Sequence, residues 1–221
     1  MPEVPMYVLL MYGGVRPGGI LQFNKFLKQE GGMPNRMIYL VSHWEEPEHE
    51  IMKFLRMVYE AQAANVLTVY DGHGEDGIFF PNGREFTYQR FASFFDIKGD
   101  LIFINNACFS GSCVDAFSEA GLLPDRSMVL ASSRPTETTY RSRFLNELIK
   151  SYQLGKHYNP RQIGRVYKLI QSNGRRKRKM RISIREFNST DPEKINEDNY
   201  EDQRQHPIKV GKSLDHLLFA R

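Results

Sequence analysis

The sequence has little cysteine. Cys108 and Cys113 are the only two in 221 residues, which excludes a disulfide framework, and they lie too close together to close a useful loop. A structural zinc site would need histidines beside them. His43, His49, His157, His206 and His216 are scattered without metal-ligand spacing, so no metal and no cofactor is expected. Long apolar runs are missing too. The longest, Tyr7–Tyr12 and Leu101–Ile104, fall far short of the roughly 18–20 residues of a membrane helix, and no membrane partner is expected. The first ten residues lack a basic stretch and carry two prolines, so no secretory signal is expected. These absences point to a reducing, intracellular setting, cytoplasmic or nuclear. Several catalytic signatures are also absent. Neither cysteine is followed by the arginine of a tyrosine phosphatase loop: Val114 and Glu119 stand in its place. Gly211-Lys212-Ser213 lacks the earlier glycine of a phosphate loop, where His206 stands. No Gly-x-Ser-x-Gly elbow occurs. Asn188-Ser189-Thr190 matches a glycosylation acceptor, but no signal would deliver it to that machinery.

What is present is an ordinary globular composition, 41% hydrophobic and 25% charged, which excludes wholesale disorder. The net charge of +4 is unevenly placed. Residues 1–160 hold 15 Lys and Arg against 18 Asp and Glu, whereas residues 161–221 hold 15 against 8. The excess sits in Arg175–Arg181, after which Asp191–Asp202 turns acidic. The high pI therefore describes the C-terminal quarter.

Periodicity predicts strands at Tyr7–Tyr12, Met37–Val41, Val66–Tyr70, Leu101–Ile104 and Met128–Ala131. Helices alternate with them. One carries Phe23, Phe26 and Leu27. A second, over 47–63, places Ile51, Phe54, Leu55, Val58 and Ala61 on one stripe. Asp76-Gly77 and Pro81-Asn82-Gly83 mark a small hairpin. Thr87 is placed to cap a short helix with Phe91, Phe94 and Phe95 inward. Further helices are expected from about Ser112 to Ala120, around Phe144–Ile149 and around Ile163–Ile170. Met180, Ile182 and Ile184 alternate with polar residues and predict an edge strand. Beyond Asn188 no element is predicted until Leu214–Phe219. This is an α/β pattern: a mainly parallel central sheet flanked by helices, as one domain over 1–187 and an irregular basic and acidic tail over 188–221.

Ligands of open α/β sheets sit outside the carboxyl ends of strands, and two predicted strand ends carry reactive side chains. The third runs into Asp71-Gly72-His73-Gly74, the fourth into Asn105-Asn106-Ala107-Cys108-Phe109-Ser110-Gly111-Ser112. One helix separates them, so they are expected to be parallel neighbours, with His73 and Cys108 facing each other at one edge. That is what nucleophilic catalysis needs, a thiol beside an imidazole that takes its proton. Gly72 and Gly74 would leave backbone open to a substrate carbonyl, and the amides of Gly74 and Cys108 could form an oxyanion hole. A helix starting after Cys108 would favour its thiolate. Cys113, on that helix, reads as packing, and Glu75 and Asp76 as turn formers.

At these residues the sequence resembles the caspase-like clan of cysteine peptidases, which includes caspases, metacaspases, legumains and the GPI-transamidase catalytic subunit. LTVYDGHGEDGIFF followed by FINNACFSGS carries the resemblance. VLASSRPTETTY, Val129–Tyr140, resembles the strand and Ala-Ser-Ser turn after the nucleophile in legumain-like members. The likeness covers about residues 5–150. It implies a three-layer α/β/α domain and a thiol endopeptidase, with Cys108 as nucleophile, His73 as general base and acid, and Gly74 with Cys108 as oxyanion donors. It also implies a substrate pocket near Arg16, Asn106, Ser132 and Ser133. Asn106 stands where the family commonly has Gln, Glu or Asp, so the substrate residue is not inherited. Arg16, in the loop after the first strand, would favour an acidic or amide side chain if it lines the pocket. The length suits one such domain without an added recruitment region.

The runner-up reading is a catalytically silent caspase-like module that binds a partner protein or nucleic acid through residues 175–181. That run reads equally as a nuclear-localisation or nucleic-acid patch, a processing site, or a solvated loop. A homodimer through the edge strand near 180–187 is a further expectation, which its arginines oppose.

Overall fold

A computed structural model describes residues 4–14, 17–29, 33, 37–41, 46–62, 64–139, 144–146, 148–149, 185–186 and 208–212. Arg16, the basic run 175–181, the helix expected around Ile163–Ile170, the alternating residues 180–184 and the segment Leu214–Phe219 lie outside them.

The chain runs β1 (Met6–Gly13), α1 (Gly18–Gln29), β2 (Ile38–Leu40), α2 (Pro47–Glu60), β3 (Asn65–Gly72), β4 (Gly74–Glu75), β5 (Ile78–Phe79), β6 (Phe86–Thr87), α3 (Tyr88–Ala92), β7 (Leu101–Asn106), α4 (Cys113–Glu119), β8 (Ser127–Ala131), β9 (Arg185–Glu186) and β10 (Ile208–Gly211). Among the described residues, seven strands form the central sheet in the order β2-β1-β3-β7-β8-β10-β9. The first five are mutually parallel. β10 runs antiparallel to β8 and parallel to β9.

The parallel strands read as near-continuous apolar runs because both faces are covered. Leu9, Met11, Val66, Tyr70, Leu101, Phe103 and Val129 face α2, α3 and α4, meeting Ile51, Phe54, Leu55, Val58, Phe91 and Phe117. Their alternates Val8, Leu10, Leu67, Val69, Ile102, Ile104, Met128 and Leu130 face α1 and the helical residues around Phe144–Ile149. The result is three layers. Among the described residues no helix is long and apolar enough to cross a membrane.

α1 and α2 lie on opposite faces, so the connections leave β1 and arrive at β3 in opposite senses. The carboxyl ends of these two neighbours flank the switch point where open α/β sheets bind ligands. The hairpin predicted at Asp76-Gly77 is β4–β5, part of a small antiparallel sheet with β6. Thr87 caps α3, its hydroxyl accepting from the Arg90 amide at 3.1 Å.

One expectation changes and one holds. No element was expected between Asn188 and Leu214, yet Ile208–Gly211 is a sheet strand between β8 and β9. The predicted edge position of the 180–187 strand holds for its described part, β9, which is outermost among the described strands.

Phe103 is fully buried and stacks on Phe117, with centroids 5.2 Å apart and planes within 3°. Phe103→Ala should cost about 3–5 kcal/mol, read as a lower urea midpoint at unchanged slope; a loss below about 1 kcal/mol would contradict the packing described.

Candidate functional site

β3 and β7 are adjacent and parallel, in register from Val66↔Leu101 to Asp71↔Asn106. They therefore deliver the His73 and Cys108 loops to the same sheet edge. The His73 amide extends the ladder to β1, donating to the Gly13 carbonyl at 2.8 Å. Its own carbonyl accepts from the Tyr70 hydroxyl at 2.7 Å, and that hydroxyl accepts from the Phe80 amide at 3.2 Å. Burial pushes the Tyr70 phenol well above its ordinary range, so it stays a neutral donor. The exposed imidazole lies beside Gly14, where a Cβ would sit 3.9 Å from its Nε2.

Cys108 is half-buried in the turn after β7. The next residue, Phe109, has a left-handed backbone (φ 55°) and is followed by a 3₁₀ turn over Ser110–Ser112. α4 starts at Cys113, close to the start expected at about Ser112 and a full turn beyond Cys108, so no helix begins at the thiol itself. Instead the segment after β8 meets the turn. The Phe109 amide donates to the Glu137 carbonyl at 2.6 Å. The Thr139 amide donates to Cys108 Sγ at 3.3 Å, and Sγ lies 3.9 Å from the Thr139 carbonyl oxygen.

The two loops are fastened together. A Cβ on Gly74 would overlap the Cys108 carbonyl oxygen and come within 2.8 Å of the Ala107 methyl. The Ser112 hydroxyl accepts from the Gly77 amide at 2.9 Å and donates to the Phe109 carbonyl at 2.8 Å. The glycines thus do something other than what the sequence implied. The space beside Gly72 holds the Tyr70 hydroxyl, 2.5 Å from a Cβ position, and the space beside Gly74 holds the cysteine loop.

Of the pocket residues, Ser132 and Ser133 are fully buried. Their hydroxyls donate to the Ala107 carbonyl at 3.2 and 3.1 Å and pair with the Ser110 hydroxyl at 3.3 and 3.0 Å. They hold the turn from behind rather than line an open surface. Asn106 is 1% exposed, and its Nδ2 donates to Asp71 Oδ1 at 2.6 Å. Neither Ser112 nor Asp71 was singled out from sequence. Ser112 needed the tertiary meeting of two turns, whereas Asp71 stands two residues before His73, as Asn106 stands two before Cys108, and that parity was visible.

Against known proteins, no family model matches the sequence, and no curated protein matches it. Among solved structures it is similar to caspase-1 from Spodoptera frugiperda, with a TM-score of 0.58 over 95% of this chain and 89% of that one, at 12% identity. The fold is caspase-like. At that identity the likeness speaks for the fold alone. The caspase-like sheet accounts for the parallel β3–β7 pair.

Gly74→Ala should force the two loops apart, lowering stability by about 1–3 kcal/mol; an unchanged melting temperature would contradict the contact. Cys113 is fully buried, and desolvation pushes its thiol up to about 12. The folded protein therefore holds this proton where an unfolded thiol, near 8.5, has lost it. That contribution is present below about pH 8.5 and is lost as pH rises towards about 12. In native protein at pH 8, iodoacetamide should alkylate Cys108 and spare Cys113, with both alkylated in denaturant. Peptide mapping that finds Cys113 modified in the native state would refute its burial.

Proposed function

We propose that this chain is a cysteine endopeptidase in which Cys108 is the nucleophile and His73 the general base and acid. The observation that carries this reading is that the two side chains leave adjacent parallel strands at one edge, on loops locked in backbone contact through Gly74.

In the proposed reaction the imidazole removes the thiol proton and Sγ attacks the carbonyl carbon of the scissile peptide. The tetrahedral oxyanion is stabilised by the Gly74 and Cys108 amides. His73 returns the proton to the leaving amine, and a thioester forms as the C–N bond breaks. Water then attacks the thioester with His73 again as base, releasing the acid and the Cys108 thiol. The Thr139 amide supports the nucleophile, because a hydrogen bond donated to sulfur strengthens as the sulfur gains charge. The coarse likeness to a caspase supports the same chemistry by analogy of fold, which alone does not establish it.

Cys108→Ala should abolish cleavage of a peptide library, and His73→Ala should lower kcat/KM by about 10²- to 10⁴-fold. The decisive measurement is iodoacetamide labelling. Rapid labelling of Cys108 that slows in His73→Ala supports the dyad. Peptidase activity surviving in Cys108→Ala sinks it, and slow labelling indifferent to His73 points to a silent binding module.

A further inference from the structure

His73 divides its two backbone groups between two sheets. Its amide continues the β1–β3 ladder, one step past the Gly13–Gly72 pair, by donating to the Gly13 carbonyl at 2.8 Å. Its carbonyl turns to the small antiparallel sheet. There β4 and β5 pair Gly74 with Phe79 and Glu75 with Ile78, so the next position of that ladder sets His73 opposite Phe80. The Tyr70 hydroxyl stands in that position. It accepts from the Phe80 amide at 3.2 Å and donates to the His73 carbonyl at 2.7 Å. A hydroxyl is donor and acceptor together, and here it relays a bond that the two strands would otherwise make directly.

The hydroxyl sits in a seat that two glycines leave open. A Cβ on Gly13 would overlap it and the Phe80 carbonyl oxygen, and a Cβ on Gly72 would lie 2.5 Å from it. The ring beneath is fully buried and meets Phe79 edge-on. The ends of β1 and β3 and the turn after β5 therefore converge on one oxygen atom. His73 has need of this support. Its imidazole is exposed and makes no hydrogen bond among the described residues, whereas a base that activates a nucleophile is commonly oriented by a third group. The flanking Gly72 and Gly74 also leave its backbone the widest choice of conformations. Placement of the imidazole thus passes to the main chain of His73, which the Gly13 carbonyl holds on one side and Tyr70 on the other.

We propose that Tyr70 is a positioning residue for His73: its hydroxyl, inserted between Phe80 and His73, sets where the chain leaves the main sheet and so the reach of the imidazole towards Cys108. The proposal rests on the peptidase reading above. Tyr70 takes no proton in the reaction and acts through the base alone. Phenylalanine would keep the ring in its cluster but would leave the Phe80 amide and the His73 carbonyl either to close on each other or to go unpaired. Both outcomes move the residue that carries the imidazole. The loss falls on removal of the thiol proton, and substrate binding is left as it was.

The test is the iodoacetamide labelling rate of Cys108 in wild type, Tyr70→Phe, His73→Ala and the double variant. Cys113 in the same samples, spared in folded protein, shows that the rates refer to folded molecules. Tyr70→Phe should slow labelling about 10-fold or more while His73 is present, as expected for a misplaced catalytic group. In the His73→Ala background it should change the rate by less than about 2-fold, because two residues that act through one contact are not additive. On a fluorogenic peptide the same variant should lower kcat by about 10- to 100-fold and leave KM within about 2-fold. A wild-type labelling rate in Tyr70→Phe overturns the proposal. Equal slowing with and without His73 does so too, since Tyr70 would then support the Cys108 turn, and so does Cys113 labelling of Tyr70→Phe without denaturant, since the hydroxyl would then be a requirement of the fold. All three leave the dyad standing when His73→Ala alone slows labelling. If His73→Ala does not slow it, the peptidase reading itself falls and the proposal with it.

Discussion

The rest of the site depends on the pairing of β3 with β7. Being parallel, the two strands end at the same edge; being buried on both faces, they tolerate no slip. A shift of one residue in either strand would turn that strand's residues, Leu67 and Val69 or Ile102 and Ile104, out of one core layer and into the other. It would also separate Asp71 from Asn106, whose side-chain bond needs them opposite each other. The hydrophobic burial that sets the register therefore also sets which reactive residues meet. The chemistry rides on packing laid down tens of residues earlier in the chain.

What fixes the loops beyond the strand ends is a group of aromatic rings under the α2–α4 face. Phe79 lies at its centre, stacked on Tyr88 at 5.0 Å and met edge-on by Tyr70 at 4.9 Å. Each tyrosine uses its ring for the cluster and its hydroxyl for a loop. Tyr70 holds the His73 carbonyl, and Tyr88 accepts from the Asn105 side chain at 2.9 Å. Burial raises both phenols, so neither ionises near neutrality. A buried tyrosine normally needs a polar partner, and here those partners are the backbone and side chain that bracket the two reactive positions.

The fold was legible to the extent that it rests on burial. Strand runs such as Leu101–Ile104 and the stripe Ile51-Phe54-Leu55-Val58 follow from periodicity, and the His73 and Cys108 loops follow from strand ends. The less legible parts rest on tertiary partners. Ile208–Gly211 has two apolar residues in four and becomes a strand only because β8 presents an open edge. Ser132 and Ser133 read the same from sequence whether they line a pocket or satisfy a turn. Ser110, more than twenty positions earlier, decides between these, with the Ala107 carbonyl as the group to be satisfied. Between Cys108 and α4 stands Phe109, whose left-handed backbone no propensity would assign to an aromatic residue.

β10 has a consequence for how the molecule is made. Its partner strand β8 ends at Ala131, yet Ile208, which pairs with that residue, is 77 positions further along the chain. At ribosomal speeds of about 5–20 residues per second, β8 would wait about 4 to 15 s for it. During that interval the five parallel strands, carrying both reactive loops, end in an unpaired apolar edge of the kind that recruits other chains. A nascent chain of this protein is thus most exposed to aggregation after its site has been assembled and before its sheet has been closed.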